Sequence, residues 1–132
     1  MNKIYAITII SIAFSTILID SSFAAGPICT EAFKNKDSND DIMMIEMYTK
    51  CISEGLGCNY QYAVVYHNRG MNYYHLSRYG EALTDLNKSV QLYPKEKNFY
   101  VSRAKIYRAL GRTKEADADE KMAKKQQWLL SF

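Results

Sequence analysis

"YHNRGMNYYHLSRYGEALTD", Tyr66 to Asp85, returns further along the chain as "YVSRAKIYRALGRTKEADAD", Tyr100 to Asp119. Tyr66 becomes Tyr100, an offset of 34, and Arg69, Tyr73 and Leu76 become Arg103, Tyr107 and Leu110 at the same offset. Arg78, Glu81, Ala82 and Asp85 become Arg112, Glu115, Ala116 and Asp119. A period of this length is too long for one helix and too short for a domain, and it suits two antiparallel helices with their turns. Tyr66, Tyr73 and Leu76 fall at helical intervals, Ser77 to Gly80 break the run, and Ala82, Leu83, Leu86 and Val90 resume it on one face until Pro94. The second copy reads as a helix over 98–110, a turn at Gly111 to Thr113, and a helix from Lys114 to about Leu130. The fold class is all-α, with helical hairpins stacked side by side.

The residues at these places resemble the signature of the tetratricopeptide repeat: an aromatic, then Leu-Gly, then a tyrosine on the first helix, followed by an alanine, an aromatic and a proline on the second. The first copy supplies Tyr66, Gly70, Tyr73, Ala82 and Pro94, with Leu86 in the second aromatic slot. The second supplies Tyr100, Ala104, Tyr107, Gly111, Ala116 and Ala123. Small residues let two helix backbones approach closely, and a larger one forces the hairpin open at about 1–3 kcal/mol. Arg69 and Arg103 stand where the family has leucine, and the in-step recurrence of Asp85 and Asp119 suggests that each arginine pairs with its aspartate. The resemblance implies a short α-solenoid with repeats at 63–96 and 97–132, the latter ending in a capping helix. A degenerate hairpin and loop at 25–62 precede them. There, "DIMMIEMYTKCISEG" reads as a second helix with Ile45, Tyr48 and Ile52 on its apolar side, and "ICTEAFKN" as a short first helix capped by Thr30.

Aligning Cys51 with Ser89 and Ala123 puts it in a small buried slot, so this placement implies a Cys29–Cys58 disulfide, with Cys29–Cys51 as the alternative. The counterparts of Leu83, Leu86 and Val90 in the last repeat are Asp117, Glu120 and Lys124, the polar outer face that a terminal helix needs. The tail Trp128, Leu129, Leu130 and Phe132 is apolar; it is expected to fold back on the last hairpin, with homodimer formation through the tail as the alternative.

The chain starts with Lys3, an apolar run over 4–19 diluted by four hydroxyl residues, and the small residues around Ala24. This reads as a signal peptide over 1–24, cleaved after Ala24, and as an exported protein, periplasmic or secreted in a bacterium. The alternative is membrane attachment through an uncleaved segment, although the run falls short of the ~20 residues that span a bilayer. The net charge of +3 is too small to argue for nucleic acid. Phosphate loops, nucleophile elbows and zincin motifs are missing, so the reading is of a non-enzyme without catalytic residues or a cofactor.

His67, Met71 and His75 share a face at four-residue intervals. The two imidazoles stand ~12 Å apart along the helix, too far to chelate one ion, so no metal site is assigned. The resemblance gives that stripe another use, since first helices of the family line a concave groove that holds an extended peptide or a partner helix. It places Val64, His67, Met71, Tyr74 and His75 in the groove from one repeat and Asn98, Val101, Lys105 and Arg108 from the next. Aromatic, methionine and cationic groups suit a protein partner with an apolar anchor and an acidic residue.

Overall fold

A computed structural model describes residues 27–129, so the expected signal segment and the end of the tail, Leu130 to Phe132, lie outside the described residues. Six helices follow one another: α1 (Pro27–Lys34), α2 (Asp41–Glu54), α3 (Asn59–His75), α4 (Tyr79–Leu92), α5 (Lys97–Ala109) and α6 (Thr113–Leu129). They form three successive hairpins, and the stack is continued by α2 packing on α3 and α4 on α5. The architecture is an all-α helical solenoid.

Local chemistry sets most boundaries. Asp40 caps α2 by accepting the Met43 N–H at 2.9 Å. α1 begins at Pro27, where a missing N–H is no loss, so Thr30 lies inside the helix and not at its cap. α3 begins a turn earlier than the apolar pattern suggests, at Asn59, because nothing in Asn59 to Tyr62 breaks a helix; the Tyr62 N–H reaches the Cys58 carbonyl at 3.2 Å. Both intra-repeat turns use one geometry. The Arg78 N–H donates to the Tyr73 carbonyl and the Arg112 N–H to the Tyr107 carbonyl, with left-handed backbone at Ser77 (φ 58°) and at its counterpart Gly111 (φ 72°).

The disulfide corrects the expected Cys29–Cys58 pairing. Cys29 is bonded to Cys51, with their Cα atoms 4.8 Å apart, and Cys58 is an exposed thiol. The physical reason is the early start of α1. Cys29 sits on the helix and faces α2, instead of lying in the loop before it, so the buried slot of Cys51 is directly opposite.

Around this bond Ala32, Met44, Tyr48 and Val65 form one core, lined by Phe33, Met47, Ile52 and Leu56. The buried line on α2 is therefore Met44, Tyr48 and Cys51; Ile45 and Ile52 are only half-buried. A second core joins the repeats: Leu86 and Ala82 of α4 meet Ile106 of α5, with Tyr73, Tyr74, Tyr79 and Leu83 against them. Slots aligned with Cys51 are also closed. Ser89 is fully buried and donates to the Ala63 carbonyl at 2.8 Å, and Ala123 is 7% exposed.

α3 and α4 approach each other closely at Gly70. A Cβ added there lies 2.3 Å from Leu86 Cδ2 and 3.2 Å from the Ala82 carbonyl oxygen, and Leu86 has no space to retreat because it is fully buried. Gly80, in the first turn of α4, has nothing within 4 Å of such a Cβ. Gly70→Ala is therefore expected to lower stability by about 1–3 kcal/mol, as overpacked cores do. Gly80→Ala is expected to raise it by about 0.5–1 kcal/mol. Urea unfolding of both variants measures the contrast, and equal effects contradict the close approach.

Candidate functional site

The first-helix stripe can be placed residue by residue. His67 is turned into the junction between α3 and α5: its Nε2 lies 2.9 Å from Ser102 Oγ, its Nδ1 lies 3.1 Å from Asn68 Oδ1, and its ring lies 5.1 Å from that of Phe99. Since Asn68 Oδ1 only accepts, the neutral ring carries its proton on Nδ1 and Nε2 accepts from Ser102. Tyr74 packs on Tyr79 and against the Leu86–Ile106 core. Val64 and Met71 are half-buried. His75 is exposed and reaches Asp41 at the start of α2, 3.1 Å away. On α5, Arg108 is held by Asp117 and Glu120 of α6, both at 2.8 Å.

Asn98, Val101 and Lys105 are exposed on α5. Val101 is 40% exposed. With Lys97, Asn98 and four residues of α6 it lines a depression of about 280 Å³. The α6 contributors are Glu120, Ala123, Lys124 and Gln127; the sequence pattern puts Glu120 and Lys124 on a polar outer face and Ala123 in a small slot. The nine stripe residues thus do not form one surface. α5 covers His67 and Tyr74 of α3, while nothing among the described residues covers the equivalent side of α5. The signal available in the sequence was the offset itself: Val101 is the counterpart of His67, one repeat closer to the end of the stack.

The paired residues of the two repeats make a second constellation. Arg69 donates from Nε and Nη2 to the two Asp85 carboxylate oxygens at 2.7 and 2.8 Å, and Arg103 does the same to Asp119 at 2.7 Å each. These hydrogen bonds hold both guanidinium groups above their ordinary pKa. The remaining Nη1 atoms reach backwards along the stack, Arg69 to Thr49 at 3.0 Å and Arg103 to Asn87 at 2.9 Å. Tyr66 and Tyr73 flank Arg69, Tyr100 and Tyr107 flank Arg103, and Arg78 and Arg112 lie on the outer sides of Tyr73 and Tyr107. These groups bind the scaffold together. Among the described residues no group of three or more histidine, cysteine or acidic side chains is arranged to hold a metal ion.

The tetratricopeptide repeat family model matches residues 63–96. Nothing among curated proteins matches the chain. Among solved structures, MamA is similar over 83% of this chain and 62% of its own, at 18% identity with a TM-score of 0.70. The Hsp90 co-chaperone Cns1 from Saccharomyces cerevisiae is similar over 75% of this chain, with a TM-score of 0.68 at 19% identity; this chain spans only 32% of that one. The second TPR of Spaghetti (RPAP3), bound to the HSP90 peptide SRMEEVD, is similar over 73% of this chain and 85% of its own, with 24% identity and a TM-score of 0.64. Residues 63–96 are thus a tetratricopeptide repeat, and the chain shares the stacked-hairpin fold of these structures.

Burial lowers the pKa of His67 below the ordinary 6.5, against smaller opposing effects of the Asn68 hydrogen bond and the Glu96 charge. Between the lowered folded value and 6.5 the unfolded chain binds a proton that the folded chain does not. Stability from this group is therefore full above about 6.5 and falls as pH drops through that window. Urea midpoints taken between pH 7.5 and pH 5 are expected to decline, and His67→Gln is expected to flatten the decline. An identical slope in the variant contradicts the assignment.

Proposed function

We propose that the protein is an exported protein–protein interaction module, docking a peptide or partner helix on the exposed face of its last repeat. The observation that carries this reading is the uncovered depression between α5 and α6. Val101 offers an apolar contact at its centre, with Lys97 and Lys124 as cations beside it. An apolar anchor beside two lysines and two amides, with the one carboxylate of the lining, Glu120, engaged by Arg108, suits a partner with an apolar side chain next to an acidic one. The fold supports the reading by analogy, since the similar RPAP3 domain is bound to a peptide containing two glutamates and an aspartate. Stripe residues Val64, His67, Met71 and Tyr74 act in this reading as the support on which α5 is seated. Export is supported by the composition of the first 24 residues and by the Cys29–Cys51 bond, which suits an oxidising compartment.

A second reading is favoured by Trp128 and Leu129. They continue α6 and are 61% and 52% exposed, instead of folding back on the hairpin as expected. In that reading the end of α6 packs into an envelope assembly or a homodimer, and the α5 face is incidental.

In-cell photo-crosslinking separates the two. A photoreactive residue at Val101 is expected to give one discrete adduct, with none from the same residue at Arg112 in the turn. Replacing Lys97 and Lys124 by glutamate is expected to abolish it. Absence of an adduct at Val101, together with one from position 129 at twice the chain mass, moves the function to self-association.

A further inference from the structure

A second depression, of about 560 Å³, lies on the α3–α4 hairpin and shares no residue with the α5–α6 face. Its volume is in the range of small-ligand pockets, about 300–1,000 Å³. Its α3 side is the half-buried Tyr66 ring beside Arg69, whose guanidinium carbon is 5.5 Å from the ring centre. Asp85 neutralises Arg69 at that point. The α4 wall is polar and exposed: Thr84, Asn87, Lys88 and Gln91.

Three features of that wall specify an occupant. Lys88 is held in no ion pair among the described residues, so the cleft has one uncompensated positive charge. Asn87 is fixed by its own neighbour, because Arg103 Nη1 donates to its Oδ1 at 2.9 Å, which leaves the amide N–H groups to donate elsewhere. Gln91 follows four residues later, ~6 Å along the helix axis. That separation approximates the two-residue repeat of an extended chain, about 6.6–6.8 Å. Two side-chain amides in step with alternate peptide units can each pair with backbone, and the Tyr66 ring lies within the same cleft to receive an aromatic side chain.

We propose that this cleft binds a short extended peptide segment in which an acidic residue stands beside an aromatic one. Its backbone pairs with Asn87 and Gln91, a carboxylate meets Lys88, and the aromatic side chain lies on Tyr66. This is a second contact surface, independent of the α5–α6 face, so that one chain engages two segments at once.

The test is an NMR titration of the isotope-labelled full chain with the capped peptide Ala-Glu-Phe-Glu-Ala. Amide shifts are expected at Tyr66 to Arg69 and Thr84 to Gln91. Lys88→Glu is expected to weaken binding at least tenfold, and so is the peptide with both glutamates changed to glutamine. Lys121→Glu, exposed on α6 and outside both depressions, is expected to leave the affinity unchanged. Lys88 is exposed on a helix surface, and a thermal melt of the variant is the check that it folds. Three results overturn the proposal: no shifts at these amides at millimolar peptide, shifts centred on Lys97 to Gln127 instead, or a Lys88→Glu affinity equal to that of the unaltered chain.

Discussion

Two carboxylates are almost closed off from water: the side chains of Asp85 and Asp119 are 5% and 7% exposed. A buried carboxylate is tolerated only when its charge and lone pairs are met, and here a single arginine meets both. The planar fork of Arg69 or Arg103 bonds both oxygens at once, which a lysine does not do. Its last nitrogen is then directed to the preceding second helix, through Thr49 or Asn87. Arg69 thereby ties α2, α3 and α4, and Arg103 ties α4, α5 and α6. The tyrosines on either side of each guanidinium hold it in that orientation. Hairpin angle and repeat-to-repeat spacing both depend on this one arrangement, made twice.

The first hairpin has no such arginine and is closed by different means. α1 is only two turns long, and its contribution to the core is Cys29 and Ala32 with part of Phe33. Covalent attachment of Cys29 to Cys51 supplies what so short a helix cannot supply by burial; in chain-entropy terms a loop of this size contributes about 3 kcal/mol. At the other end, Asp117 and Glu120 hold Arg108 in solvent where the earlier repeat has Leu83, Leu86 and Tyr74 in the core. The exposed α5 stripe lies beside this charged edge.

Much of this architecture was readable because repetition repeats the physics as well as the residues. Arg69 with Asp85 and Arg103 with Asp119 could be paired from their common offset, and the need for a small residue at Gly70 follows from its place in the hairpin. The disulfide was not readable in the same way. Its partner depends on whether Cys29 lies before α1 or on it, and a shift of three residues in a helix start decides that. The groove was half readable. Periodicity gives the face on which His67, Tyr74 and Val101 lie, but only packing tells which of those faces the next helix covers. The α4 cleft gave no signal at all, since Thr84, Asn87, Lys88 and Gln91 look like any solvated helix surface until Arg103 is seen fixing Asn87.

The most direct measurement is a double-mutant cycle on Arg69 and Asp85, read by urea unfolding. Arg69→Met alone is expected to cost about 3–5 kcal/mol, because it leaves a buried carboxylate without its partner. Arg69→Met with Asp85→Leu is expected to recover a large part of that loss, with a coupling of at least about 1 kcal/mol between the two sites. Additive effects of the two replacements, or an Arg69→Met protein as stable as the unaltered chain, contradict the claim that this pair organises the stack.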